Sequence, residues 1–84
     1  MFITMDIRRV VGLNLKRLRD VLDISQEAMA DKAGIHRTYI SGVERGVRNP
    51  TVLVLAKIAE AAGADPDELL RPIEPKQKPK GRKA

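Results

Sequence analysis

The chain has 84 residues, with one histidine, no cysteine, and 16 Lys plus Arg against 11 Asp plus Glu, a formal charge of +5. That length holds one small domain and excludes a multidomain enzyme. The charge excludes less than it suggests: residues 1–75 hold 11 basic and 11 acidic side chains, so Lys76, Lys78, Lys80, Arg82 and Lys83 carry the whole surplus. A polyanionic partner therefore cannot be inferred from net charge alone.

Apolar residues make up 43% of the chain and aromatic ones 2%, so the core must be built from Leu, Ile, Val, Ala and Met. Such a composition favours packed helices over a sheet. Without cysteine there is no disulfide, thiolate metal site or cysteine nucleophile. The longest apolar runs are too short to cross a bilayer, and the N-terminus lacks a basic region followed by an apolar stretch. We expect a soluble, cytoplasmic protein.

From Asp6 to Leu22, Val11, Leu15, Leu18 and Leu22 recur at spacings of four, three and four, and most of the charged residues lie off that stripe. This pattern predicts an amphipathic helix capped by Asp6, with residues 1–5 as an N-terminal arm. Gly12, inside the helix, costs roughly 1 kcal/mol relative to Ala. Ser25 caps a second helix that Gly34 ends. A third runs from about Arg37 to Arg45 and stops at Gly46. Asn49-Pro50 bars helix before Thr51, which caps a fourth helix through Ala62 carrying Leu55, Ile58 and Ala62 on one face. Asp65, Pro66, Asp67 and Glu68 announce a short fifth helix ahead of Leu69 and Leu70, and Pro72 stops it. Residues 74–84, rich in proline and lysine, cannot bury enough apolar surface to order themselves and should form a mobile basic tail. The folded domain is therefore expected over residues 6–73.

Two short helices joined by a tight glycine turn need a small residue at their closest approach and inward apolar residues to lock the crossing. Ala30, Gly34, Met29, Ala33, Ile35, Ile40 and Val43 occupy those positions. If Ile40 and Val43 point inward, Arg37, Thr38, Ser41 and Arg45 lie on the opposite side of the third helix. Gln26, at the start of the second helix, sits among free backbone N–H groups suited to a phosphate.

Several independent motifs agree here: Leu15-X-X-Leu18-Arg19, Ser25-Gln26-Glu27, Ala30, Gly34, Ile40-Ser41, Glu44-Arg45-Gly46 and Arg48-Asn49-Pro50. Over roughly residues 6–70 the chain resembles the phage repressor and Cro-type (XRE-like) helix-turn-helix family. The stretch Arg37-Thr38-Tyr39-Ile40-Ser41-Gly42 also resembles the controller proteins of restriction–modification systems. The resemblance implies an all-α, compact five-helix lambda-repressor-like domain, usually dimeric, whose third helix enters the DNA major groove.

It also implies base reading by Arg37, Thr38, Ser41 and Arg48, with Arg37 suited to guanine and the Thr38 methyl to thymine. Phosphate contacts are expected at Gln26, Arg45 and Asn49; at His36 and Tyr39 they compete with a turn histidine and a packed ring. Gly42 departs from family members that read bases there. Either the backbone approaches DNA closely at this point, or reading shifts to Arg37, Thr38 and Arg48. Arg19 and Glu44 match a partly buried structural ion pair of the family. Leu69, Leu70 and Ile73, with part of the fourth helix, are candidates for a dimer surface.

The leading expectation is a sequence-specific transcriptional regulator, acting as a repressor and bound as a homodimer to a palindromic double-stranded DNA operator. The rival is an antitoxin or other protein-interaction module built on the same helices. An enzyme is disfavoured because no paired acid and base, metal-ligand spacing or phosphate-binding glycine loop occurs. No metal, cofactor, small-molecule ligand or membrane partner is expected. The tail is either a solvated terminus or an arm that tracks phosphates.

Overall fold

Residues 5–73 are described by a computed structural model, in which five helices follow one another: α1 (Ile7–Leu22), α2 (Gln26–Ala33), α3 (Arg37–Arg45), α4 (Val52–Ala61) and α5 (Pro66–Leu70). The expected arm apart from Met5, and the expected basic tail, lie outside these residues.

Local chemistry explains the helix ends. The Asp6 carboxylate accepts the Arg8 backbone N–H at 2.9 Å and pairs with the Arg8 guanidinium at 2.7 Å. The Arg8 side-chain bond, and then the backbone bond, lower the Asp6 pKa from 3.8 to about 2. Ser25 Oγ accepts from the Ala28 N–H at 3.0 Å, and Thr51 Oγ1 from the Val54 N–H at 3.1 Å. At α5 the Glu68 carboxylate accepts the Asp65 backbone N–H at 3.1 Å. α1 ends at Asp23, a non-glycine residue in the left-handed region with φ 57°. A short polar side chain tolerates that conformation, and nothing in the hydrophobic pattern announces it.

Val11, Leu15, Met29, Ala30, Ile40, Val43, Leu55, Ile58, Ala59, Ala62 and Leu69 form one core. The inward face of α1 differs from the expected stripe. Val10 and Asn14 are buried, at 1% and 0% exposure, whereas Leu22 is 42% exposed. The reason is that α1 packs against both α3 and α5, so its buried surface is wider near the N-terminal half and runs out before Leu22. Asn14 serves the α5 side. Its Nδ2 donates to the carbonyls of Leu69 at 2.9 Å and Arg71 at 3.0 Å, and its Oδ1 accepts from Arg17 at 2.6 Å. A helix of five residues leaves most of its carbonyls without partners, and Asn14 supplies donors at its end.

Gly12 acquires a different meaning in three dimensions. A Cβ there would collide with the carbonyl oxygen of Val43 and lie 2.6 Å from that of Glu44. The backbones of α1 and α3 therefore touch, with Cα–H groups facing carbonyls, and the propensity cost inferred from sequence is the cost of this approach. Because the opposing atoms are backbone, they cannot swing aside. Gly12→Ala should displace α3 and destabilise the domain by about 1–3 kcal/mol, measured as a lowered urea midpoint with unchanged slope. Unaltered stability would mean that the helices do not touch here.

Candidate nucleic-acid interface

The helix pair α2–α3 presents the site. Gly34, at φ 70°, turns the chain between them, and the Ile35 N–H reaches back to the Ala30 carbonyl at 3.0 Å. Ile40 and Val43 are fully buried, which leaves Arg37, Thr38 and Arg45 exposed and Ser41 half-buried on the other side of α3. Arg45 Nε lies 3.4 Å from Ser41 Oγ. Arg37 and Thr38 have no side-chain hydrogen bond or ion pair among the described residues, so their polar groups face solvent at the N-terminal end of α3. The four residues assigned to this face from helical geometry share it.

Gly42 makes room for a residue from outside α3. It is buried, and a Cβ there would lie 2.7 Å from Arg48 Cγ and 3.2 Å from Arg48 Nε. The space left by the missing side chain is filled by Arg48, whose guanidinium carbon sits 5.2 Å from the centre of the Tyr39 ring. A cation over a ring face at that distance is held by about 0.5–1 kcal/mol at an exposed site. A residue of the α3–α4 connection is thus brought onto α3. Tyr39 is half-buried against the core and supports Arg48 from below. Asn49 is exposed.

Glu44 lies at the centre of a polar cluster behind this face. It accepts from Arg19 Nε at 2.7 Å, from Arg19 Nη2 at 3.1 Å and from Gln26 Nε2 at 3.0 Å, while Arg19 Nη1 donates to the Ile24 carbonyl at 2.9 Å. The Arg19 and Glu44 side chains are 14% and 6% exposed. The hydrogen bond to Glu44 raises the Arg19 pKa further. The cluster ties α1, the start of α2 and the end of α3 together.

One site expectation changes, at Leu69. The Gln26 side chain turns toward Glu44, which leaves the expected phosphate contact to the backbone N–H groups of this helix start. Its partner is 18 residues away, and local spacing carries no signal for the pairing. Leu69 is 0% exposed within the chain's own core and has no surface to offer a second protomer. Leu70 is 43% exposed and Ile73 is half-buried. Sequence reasoning missed Val52 and Leu53 by name; they are 85% and 69% exposed at the start of α4. Their signal was the run of apolar residues after Thr51, longer than one helix face needs.

His36 caps α3 by backbone conformation alone, without a side-chain bond, and is exposed. It lines a shallow depression with Arg37, Glu27 and Asp31, which puts the acids of α2 on one flank of the face.

The helix-turn-helix family model matches residues 15–69, well over half of the chain. The chain belongs to this family, of the phage repressor and Cro type. Regulation of transcription through DNA binding is the activity that this membership carries. An HTH-type transcriptional regulator of Sinorhizobium fredii, y4dJ, is 41% identical over 70 residues, spanning 83% of this chain and 91% of the relative. The control protein C.SmaI of Serratia marcescens is 39% identical over 66 residues, spanning 79% of each. Among solved structures, the restriction-modification controller protein C.AhdI of Aeromonas hydrophila superposes with a TM-score of 0.71 at 39% identity, covering 74% of this chain and 94% of that one.

In this helix-turn-helix domain, Glu44→Ala would strand Arg19 in a largely enclosed position. A loss of about 3–5 kcal/mol is expected from the broken pair, read by chemical unfolding. A loss below about 1 kcal/mol would class the pair with ordinary surface salt bridges.

Proposed function

We propose that this chain is a sequence-specific repressor that binds a palindromic double-stranded DNA operator as a homodimer. The observation that carries the reading is the row of exposed Arg37 and Thr38 and half-buried Ser41 on α3, joined by Arg48 through the space at Gly42. Arginine presents a fork that fits guanine O6 and N7, and a threonine methyl fits the thymine methyl. Arg45, Asn49 and the N-terminus of α2 surround that row with phosphate-binding groups. His36 and Tyr39 stand at its edges, Tyr39 serving chiefly as the seat of Arg48. Repression follows from occupancy, since a domain laid across a promoter obstructs polymerase without needing further surfaces.

Homodimerisation is supported by exposed apolar surface on α4 and α5, which pack against each other: Val52, Leu53 and Leu70, with Ile73 beyond. Two protomers related by a dyad would place their α3 helices in half-sites about one helical turn apart. Replacing Val52 and Leu53 together by Asp should leave a folded monomer with lost affinity for the full palindrome. Sedimentation equilibrium and circular dichroism measure the two halves of that expectation, and an intact dimer would move the interface elsewhere.

Selection of bound duplexes from a random pool tests the function directly. A palindromic consensus is expected, whereas absence of any enriched sequence would favour a protein-interaction module. On the selected duplex, Arg37→Ala should cost about 1–3 kcal/mol and on scrambled DNA very little. Equal loss on both would make Arg37 a phosphate contact.

A further inference from the structure

We propose that Arg9, in the first turn of α1, is a phosphate contact that extends the DNA interface beyond the α2–α3 pair; the proposal rests on the DNA-binding reading above. The first observation is where its stem lies. A Cβ on Gly46 would meet Arg9 Cγ at 2.8 Å and Arg9 Cα at 3.3 Å, so the side chain leaves α1 across the bare backbone of Gly46. Gly46 directly follows Arg45 and precedes Arg48 and Asn49 by two and three residues. Arg9 is thus part of the same surface neighbourhood, although 36 residues separate it from Arg45 in the chain.

Arg9 also differs from its neighbours in its partners. Its neighbour Arg8 is engaged with Asp6 through Nε at 3.0 Å and Nη2 at 2.7 Å, Lys16 pairs with Asp20 at 3.3 Å, and Arg71 with Asp67 at 3.2 Å. Arg9 is exposed and has no ion pair or side-chain hydrogen bond among the described residues. In this respect it resembles Arg37, which also faces solvent without an acid. An unmatched guanidinium fixed by its stem beside other cations attracts a phosphate and loses little rotamer freedom on binding one.

The third observation is why α1 is close enough to contribute. Gly12, one turn further along, lets the α1 backbone touch the last turn of α3, so Arg9 is carried to the end of α3 by a rigid contact. A phosphate next to the α3–α4 connection would then be held from two elements, Arg9 on one side and Arg45 or Asn49 on the other.

The test uses the full chain, a palindromic duplex recovered by selection and a scrambled duplex, with binding followed by fluorescence anisotropy over a range of salt concentrations. Arg9→Met keeps a stem to cover Gly46 and removes the charge; Arg9→Lys keeps the charge. Arg8→Met serves as the control, and thermal unfolding checks that each variant is folded. Arg9→Met is expected to weaken binding to both duplexes by the same factor, about threefold to tenfold, and to flatten the salt dependence by about one unit of slope per protomer. Arg9→Lys and Arg8→Met should retain the wild-type slope. An unchanged slope in Arg9→Met, or a loss confined to the selected duplex, would overturn the assignment. Failure of the wild-type chain to bind either duplex would overturn the DNA-binding reading and this proposal with it.

Discussion

Everything on the proposed binding face depends on the contact between the backbones of α1 and α3 at Gly12. Helices normally stand 8–10 Å apart because their side chains separate them. Here α1 meets the carbonyls of Val43 and Glu44 without an intervening Cβ. That closeness lets Arg19 reach Glu44 with two hydrogen bonds and still donate to the Ile24 carbonyl. The C-terminal half of α3 is thereby fixed from one side by backbone and from the other by charge, while its N-terminal half projects. A helix held in this way presents Arg37 and Thr38 at a defined height, which is what the proposed base-edge contacts require.

The charge distribution follows the same logic. Residues 1–75 balance 11 acids against 11 bases, yet the charges of the described residues are not evenly placed. Several cations away from α3 are matched within the same helix or turn, as Lys16 with Asp20 and Arg71 with Asp67. Around α3 the pattern changes, with Arg37 exposed and unmatched among the described residues and Arg48 resting on a ring instead of an acid. The acids of α2, Glu27 and Asp31, border this surface and limit its extent. Placement of charge, more than its total, makes the face suitable for a polyanion.

Glycine acts in three ways in this small domain. At Gly34 it supplies a turn that L-residues avoid. At Gly12 it removes a side chain so that two helices meet. At Gly42 it yields its volume to Arg48, so a residue from outside α3 occupies a position on its surface. Only the first use follows from local conformation; the other two depend on neighbours distant in sequence or on another element.

Local chemistry determined much of this protein from its sequence alone. Caps at Asp6, Ser25 and Thr51, the stop at Gly34 and the proline opening α5 are written in adjacent residues, because a helix end is satisfied by groups within three or four positions. The solvent face of α3 could be derived by inverting its buried positions. The matched motifs carried family and fold. What only the tertiary structure decided were the contacts between elements: Asn14 serving carbonyls of α5, Gln26 turning to Glu44, Leu69 sinking into the core, and Val52 and Leu53 remaining outside it. Periodicity shows that a helix has an inner side, but the width of that side depends on how many neighbours it has. α1 has two, α3 and α5, and their directions arise from packing rather than from any run of residues.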